Sequence, residues 1–333
     1  MARRSDRSLA ALLLTQRLEP VEADPLKASE YWAVVTAEPE LEALLECDGS
    51  EIARRIGVDE YQAARIRRLL DGATAFAFQL ERVGQAGMRV VASVDEDYPE
   101  SLSALGQAAP PLLYAYGELS LLKELHLGIV GSRDIVTAGA EVAKAAARSA
   151  VGHGHGVVSG AAKGVDQLAM RAALDAGGTA VGVLADSLQR AVRDAELRRV
   201  IGDGRLCLCS PFKPDAGFSV ANAMGRNKLI YAVSAATLVV ASDLDKGGTW
   251  AGAVEALRRR VTPVLVWTGD GAGPGNEALV ARGGTAVSEI ERIFPLPILE
   301  SPAVSVRPLS GSQLSLKLGE LVGTGRDETH PRP

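Results

Sequence analysis

The sequence predicts a doubly wound α/β domain, Rossmann-like with a mostly parallel sheet, preceded by a small helical domain. Three observations carry this. From Leu127 to about Ile290, short apolar runs alternate with helical patterns. Those runs are apolar on both faces, as strands are when helices cover both sides of a parallel sheet. Residues 30–86 lack such runs and read as short amphipathic pieces separated by turn residues.

In chain order, residues 1–29 are mixed in character, broken by Pro20 and Pro25, and are expected to be irregular. Residues 30–87 hold the helical pieces "LEALLEC", "SEIARRIG" and "DEYQAARIRRLLDG". The stretch "MRVVASVDEDYPESLSAL" opens with a strand, and Pro110-Pro111 with "LLYAYGEL" forms the approach to the sheet. Strands are expected at 127–130, 157–159, 180–185, 206–209, 237–241, 263–267 and 285–288. Helical patterns such as "AEVAKAAARSAV" and "WAGAVEALRRR" lie between most of them. Short connections and the right-handed crossover rule then favour double winding. The sheet domain is expected over 88–294, and 295–333, with several Pro, Ser and Gly residues, as a partly disordered tail.

Composition narrows the functional classes. The 333 residues are 47% hydrophobic and 23% charged, as in ordinary globular proteins. Only 4% are aromatic, which argues against a platform of exposed rings for stacking bases. The net charge of −5 gives no global attraction to nucleic acid, so an anion site must concentrate positive charge locally. Cys47, Cys207 and Cys209 make no disulfide framework; the last two alternate on one strand and share a face. "HGHG", with His153 and His155, reads as the end of a helix turning into a strand, so no metal and no cofactor are expected. The basic start has too short an apolar run for a secretory signal, and no stretch nears the ~20 residues of a membrane span. The expectation is a cytoplasmic protein without membrane contact.

Ligands of open parallel sheets bind beyond the carboxyl ends of the strands. Unusual residues sit at three such exits: Gly131-Ser132-Arg133, then Ser159, Gly160, Lys163, Gly164 and Asp166 in "SGAAKGVD", then Lys246, Gly247, Gly248 and Thr249 in "SDLDKGGTW". Arg226, Asn227 and Lys228 join them if their helix begins near the same edge. Glycines allow close backbone approach, helix starts offer unpaired N–H donors, and Arg and Lys add full charge. Such a set suits phosphate oxygens. Taken singly, each has a plainer reading: Asp166 as a helix cap, Thr249 as the cap of the helix after Lys246, Arg133 as a surface charge. No dinucleotide fingerprint, Walker A loop or nucleophile elbow is present, and Glu255 reads best as a partner of Arg258 or Arg259.

"IVGSR", "VVSGAAKGVDQLAMRAAL" and "GRNKLIYAVSAATLVVASDLDKGGTWAGAVEAL" together resemble the DNA-processing DprA/Smf family, over roughly residues 88–292. The helical segment is similar in position to the family's small SAM or helix-hairpin-helix-like domain. The resemblance implies single-stranded DNA binding in a basic pocket without catalysis, a homodimer, and help in loading a RecA-type recombinase, notably in natural transformation. It maps the family's glycine-serine-arginine motif onto Gly131, Ser132 and Arg133. Its basic glycine loop falls on Gly160, Lys163, Gly164 and Asp166, and its arginine-asparagine motif on Arg226 and Asn227, with Lys228 where many members have arginine. Met170 departs from the family's usual histidine, and Lys246-Gly247-Gly248-Thr249 from its serine-glycine-serine. The alternative is a nucleotide-binding sensor or a LOG-like nucleotide hydrolase, in a defence system or elsewhere, with Glu255 in a catalytic place.

Overall fold

The computed structural model describes residues 4–18 and 23–294. Five helices come first: α1 (Asp6–Thr15), α2 (Ala28–Ala37), α3 (Gly49–Ile56), α4 (Glu60–Leu70) and α5 (Ala73–Gln85). Strands β1 (Met88–Ala92) and β2 (Leu112–Gly117) follow. The alternating part then runs β3 (His126–Val130), α6 (Thr137–Gly152), β4 (Gly156–Ser159), α7 (Val165–Asp175) and β5 (Ala180–Val183). It continues through α8 (Leu188–Arg193), α9 (Ala195–Gly202), β6 (Leu206–Ser210), α10 (Val220–Ala232) and β7 (Ala236–Val239). It closes with α11 (Gly247–Arg259), β8 (Val264–Trp267), α12 (Asn276–Ala281) and β9 (Thr285–Val287).

The strands form one nine-stranded sheet in the order β1-β2-β6-β5-β4-β3-β7-β8-β9. From β6 to β9 every pairing is parallel, and β2 alone runs against both of its neighbours. The strand order reverses between β3 and β7, which is where doubly wound sheets open a crevice at their carboxyl edge. Strands β3 to β8 bury both faces, whereas the edge strand β9 exposes Thr285 and Ala286. Leu127, Ile129, Val157 and Leu238 enter one apolar cluster, while Val130, Val158, Val181 and Val239 enter the other. This two-sided burial is why the strands read as unbroken apolar runs.

Two sequence expectations are corrected here. Residues 1–29, expected to be irregular, contain α1, capped by the Ser5 hydroxyl accepting from the Ser8 N–H. Leu12, Leu13 and Leu14 on it are wholly buried. A helix buried all round shows no apolar stripe, so its periodicity is invisible in the sequence. "LLYAYG", read as a connection, is strand β2, wedged between β1 and β6. The five helices also share an apolar cluster with the sheet. Polar ties reinforce that contact: Trp32 Nε1 donates to the Ala109 carbonyl at 2.8 Å, and Arg4 donates to Asp95 at 2.9 Å and to the Val90 carbonyl at 2.8 Å. The expected tail, 295–333, lies outside the described residues.

Leu13→Ala is expected to lower the unfolding free energy by about 2–5 kcal/mol, the cost of emptying a core leucine site. Urea denaturation checks this; a loss under about 1 kcal/mol would mean that α1 is not part of the core.

Candidate functional site

The parallel pairing of β4, β3 and β7 delivers their three exit loops to one edge of the sheet. The Gly131–Arg133 loop is held at its start by the Ser132 N–H donating to the Ala241 carbonyl at 2.9 Å, across the strand reversal. It then packs against the next loop. The Val165 N–H donates to the Ser132 carbonyl at 3.3 Å, and a side chain at Gly164 would lie 2.7 Å from the Arg133 Cα. Gly164 has a positive φ of 93° besides, so both space and backbone select glycine there.

Arg133 and Lys163 are both exposed, and both line one cleft of about 990 Å³. Arg133 also rests on the exposed ring of Phe218, its guanidinium carbon 5.2 Å from the ring centre. The cleft takes in the exits of three adjacent strands, β3, β4 and β5, and is flanked by α7 and the α8–α9 segment. Sequence reading named the exits of β3, β4 and β7. The β5 exit, with Asp186 and Arg190, was missed, although the same carboxyl-edge rule points to it once 180–185 is read as a strand. The β7 exit, residues 246–249, is not part of the cleft lining.

Arg226 stands apart from the exposed cations. α10 starts at the carboxyl edge, after β6, and carries Arg226 under the β4 exit loop. The residue is only 4% exposed, and its Nε and Nη1 have no hydrogen-bond partner among the described residues. Its guanidinium lies against Gly160. A Cβ there would collide with Nη1, and would sit 2.5 Å from Cζ and 2.6 Å from the Asp166 carboxylate. Burial lowers the Arg226 pKa and Arg133 adds to this, while Asp166 opposes it. Burial pushes Asp166 up to about 6, against the opposing pull of Arg226 and of the Ala162 and Gly160 N–H groups. Ser159 is buried too, its hydroxyl donating to the Ile129 carbonyl at 2.6 Å.

The remaining residues divide. Asp166 is not a helix cap: that position falls to Gly164, and Asp166 is the second residue of α7. Asn227 donates to the Gly248 carbonyl at 2.9 Å, tying α10 to the start of α11. Lys246 occupies the cap position of α11, and Thr249 lies inside the helix instead of capping it. Lys228 is half-buried with Glu255 and Arg259 of α11 as its charged neighbours; burial lowers its pKa, Arg259 adds to that and Glu255 opposes it. Lys228 therefore does not join the Arg133–Lys163 mouth. Glu255 itself accepts from Arg259 at 2.9 Å, the pairing that sequence spacing indicates. His153 and His155 stack on Phe294, and no cluster suited to a metal occurs among the described residues. Among those residues no helix is long and apolar enough to cross a membrane.

Fold and site define a Rossmann-like protein whose cationic, glycine-built loops gather at the carboxyl edge of its sheet. The family model for DNA recombination-mediator protein A matches residues 89–296, more than half of the chain. The DNA processing protein DprA of Mycobacterium tuberculosis strain H37Rv is 31% identical over 292 residues, covering 79% of this chain and 73% of that protein. Protein Smf of Escherichia coli K12 is 29% identical over 260 residues, covering 74% and 68%. DprA of Streptococcus pneumoniae superposes with a TM-score of 0.58 at 21% identity, over 81% of this chain and 98% of that one. DprA of Helicobacter pylori, a protein with a single-stranded DNA binding mode, gives 0.53 at 21% identity, over 64% and 96%. The chain belongs to the DNA recombination-mediator protein A family, the DprA/Smf proteins.

The buried Asp166 makes stability depend on pH. Its folded pKa of about 6 exceeds the ordinary 3.8, so between these values the folded state holds a proton that the unfolded state has lost. Its stabilising contribution is full below pH ~4 and is lost as pH rises through about 6, on the order of 2–3 kcal/mol. Relative to Asp166→Asn, the wild-type protein should therefore lose stability from pH 4 to 6.5. Parallel pH profiles of urea midpoints for the two proteins would refute the assignment.

Proposed function

We propose that this chain is a non-catalytic single-stranded DNA-binding protein of DNA processing and recombination. The strand's phosphates lie at the cleft mouth, on Arg133, Lys163 and the backbone of the Gly131–Arg133 and Gly160–Gly164 loops. One observation carries the reading: two exposed cations from separate strand exits open on the same cleft, with the buried guanidinium of Arg226, whose Nε and Nη1 lack hydrogen-bond partners among the described residues, behind them. Phosphate contacts of this kind fix a strand without reading its sequence. The local cluster answers the overall charge of −5, since a short-range cationic mouth can attract a polyanion that the whole surface does not. Membership of a recombination-mediator family supports the nucleic-acid ligand. In the same proposal the chain acts as a homodimer and hands the strand to a RecA-type recombinase. The nucleotide-hydrolase alternative loses its base, because Glu255 is engaged by Arg259 on α11 and is not among the residues of the cleft.

The test is a salt titration of binding to a fluorescent oligonucleotide, with duplex DNA and a mononucleotide as comparisons. The double variant Arg133→Glu, Lys163→Glu should bind at least tenfold more weakly across sequences. Its plot of log affinity against log salt should be shallower by about 1.4, two phosphate contacts at ~0.7 each. Unchanged affinity in that variant would sink the site assignment.

A further inference from the structure

We propose that α3 and α4, in the helical region before the sheet, form a helix-turn-helix unit whose second helix enters the major groove of duplex DNA. This goes beyond the strand-binding reading above and does not depend on it.

The local build comes first. α3 ends at Gly57, which has a positive φ of 69°, and α4 begins after Asp59, so only Gly57, Val58 and Asp59 join the two helices. A turn this short, with glycine in it, is the connection of a helix-turn-helix pair. Buried Ile52 and Ile56 on α3 and Ala63 and Ile66 on α4 enter one apolar cluster. Asp59 caps α4, accepting from the Gln62 N–H at 2.8 Å.

The turn itself has no grip to offer. Its Gly57 and Val58 N–H groups both donate to the Ala53 carbonyl, at 3.0 and 3.2 Å. A phosphate held by a turn needs such donors free. Contact with a nucleic acid must therefore come from the outward face of α4.

That face is set by what the rest of α4 is doing. Arg65 donates to Glu30 and to the Pro25 carbonyl, both at 3.0 Å, and Arg67 donates to the Leu45 and Cys47 carbonyls, both at 2.9 Å. These two arginines brace the helix and are spent. Glu60, Tyr61, Ala64 and Arg68 are left on the outward stripe. Tyr61 is 76% exposed, and Arg68 is exposed with no hydrogen bond or ion pair to any described residue. Arg54 on α3 is also exposed, its nearest carboxylate Glu51 at 3.7 Å, a contact of little strength in water.

Shape and charge choose the partner. A convex helix offers a single strand neither a groove nor a stacking platform. A helix about 10–12 Å across does fit a major groove ~12 Å wide. Residues 49–70 carry five arginines against three carboxylates, in a chain whose net charge is −5. Two of those carboxylates are engaged, Asp59 as the cap and Glu51 by Arg55 at 3.4 Å. The third, Glu60, lies in the first turn of α4, where recognition helices meet base edges, and a carboxylate there accepts from the cytosine amino group. Tyr61 and Ala64 supply apolar contact for thymine methyl groups, while Arg54 and Arg68 take flanking phosphates.

The experiment measures binding of the full chain to a fluorescent duplex of about 20 base pairs, two helical turns, and to an oligothymidine, across a salt series. The double variant Arg54→Glu, Arg68→Glu is expected to bind duplex at least tenfold more weakly, with a log–log salt slope shallower by about 1.8, two phosphates at ~0.9 each. Its oligothymidine binding should stay within about twofold of wild type, which also shows that it folds. Selection from a random duplex pool should enrich a site with wild type and lose it with Glu60→Ala, Tyr61→Ala. Unchanged duplex affinity in the arginine variant, or no enriched site, overturns the proposal. So does a duplex affinity that falls only in Arg133→Glu, Lys163→Glu, since the duplex would then use the sheet edge. Wild type that binds oligothymidine but no duplex overturns it while leaving the strand-binding reading intact; loss of oligothymidine binding alone would overturn that reading and leave this one standing.

Discussion

The guanidinium of Arg226 beneath Gly160 is the contact around which the rest of the site is arranged. A buried cation is costly unless another charge or a ligand offsets it. Here Asp166 supplies the nearby charge, yet Nε and Nη1 keep no partner among the described residues. The guanidinium can occupy that place only because residue 160 has no side chain. Gly160 and Arg226 are far apart in sequence and belong to different layers, one on a strand exit and the other on a helix. Their contact fixes the height of α10 against β4 and sets a positive charge directly behind the glycine loop.

Above that buried pair, charge is sorted by depth. Arg133 and Lys163 face outward, where an anion can reach them without desolvating a core. Arg226 and Asp166 lie below, where their charges act over a short distance through a medium that screens poorly. On the cleft walls, Arg171 is paired with Asp175 and Glu196, and Arg190 lies near Asp186. A negatively charged protein can thus present a cationic mouth without becoming cationic overall.

Much of the architecture was legible because it follows from local pattern. Every strand expected between Leu127 and Ile290 is present within a few residues, since apolar runs bounded by turns are a period-independent signal of buried strands. The loops at the exits of β3 and β4 were legible for the same reason: a glycine or an arginine at a strand end stands out against apolar neighbours. Elements without such contrast were lost. α1 hid because its run 10–15 is buried on every side, and β2 because its flanking Pro110-Pro111 resembled a linker.

From the sequence alone came the fold class, the alternation of strands and helices, and the residue types able to meet an anion; these rest on periodicity and backbone chemistry, which act over a few residues. Tertiary structure alone decided that Arg226 is buried and not an open ligand, that Lys228 and Lys246 leave the mouth, and that the β5 exit replaces the β7 exit along the cleft. The reason is physical: burial and charge pairing depend on which layers meet, and side chains distant in sequence set both.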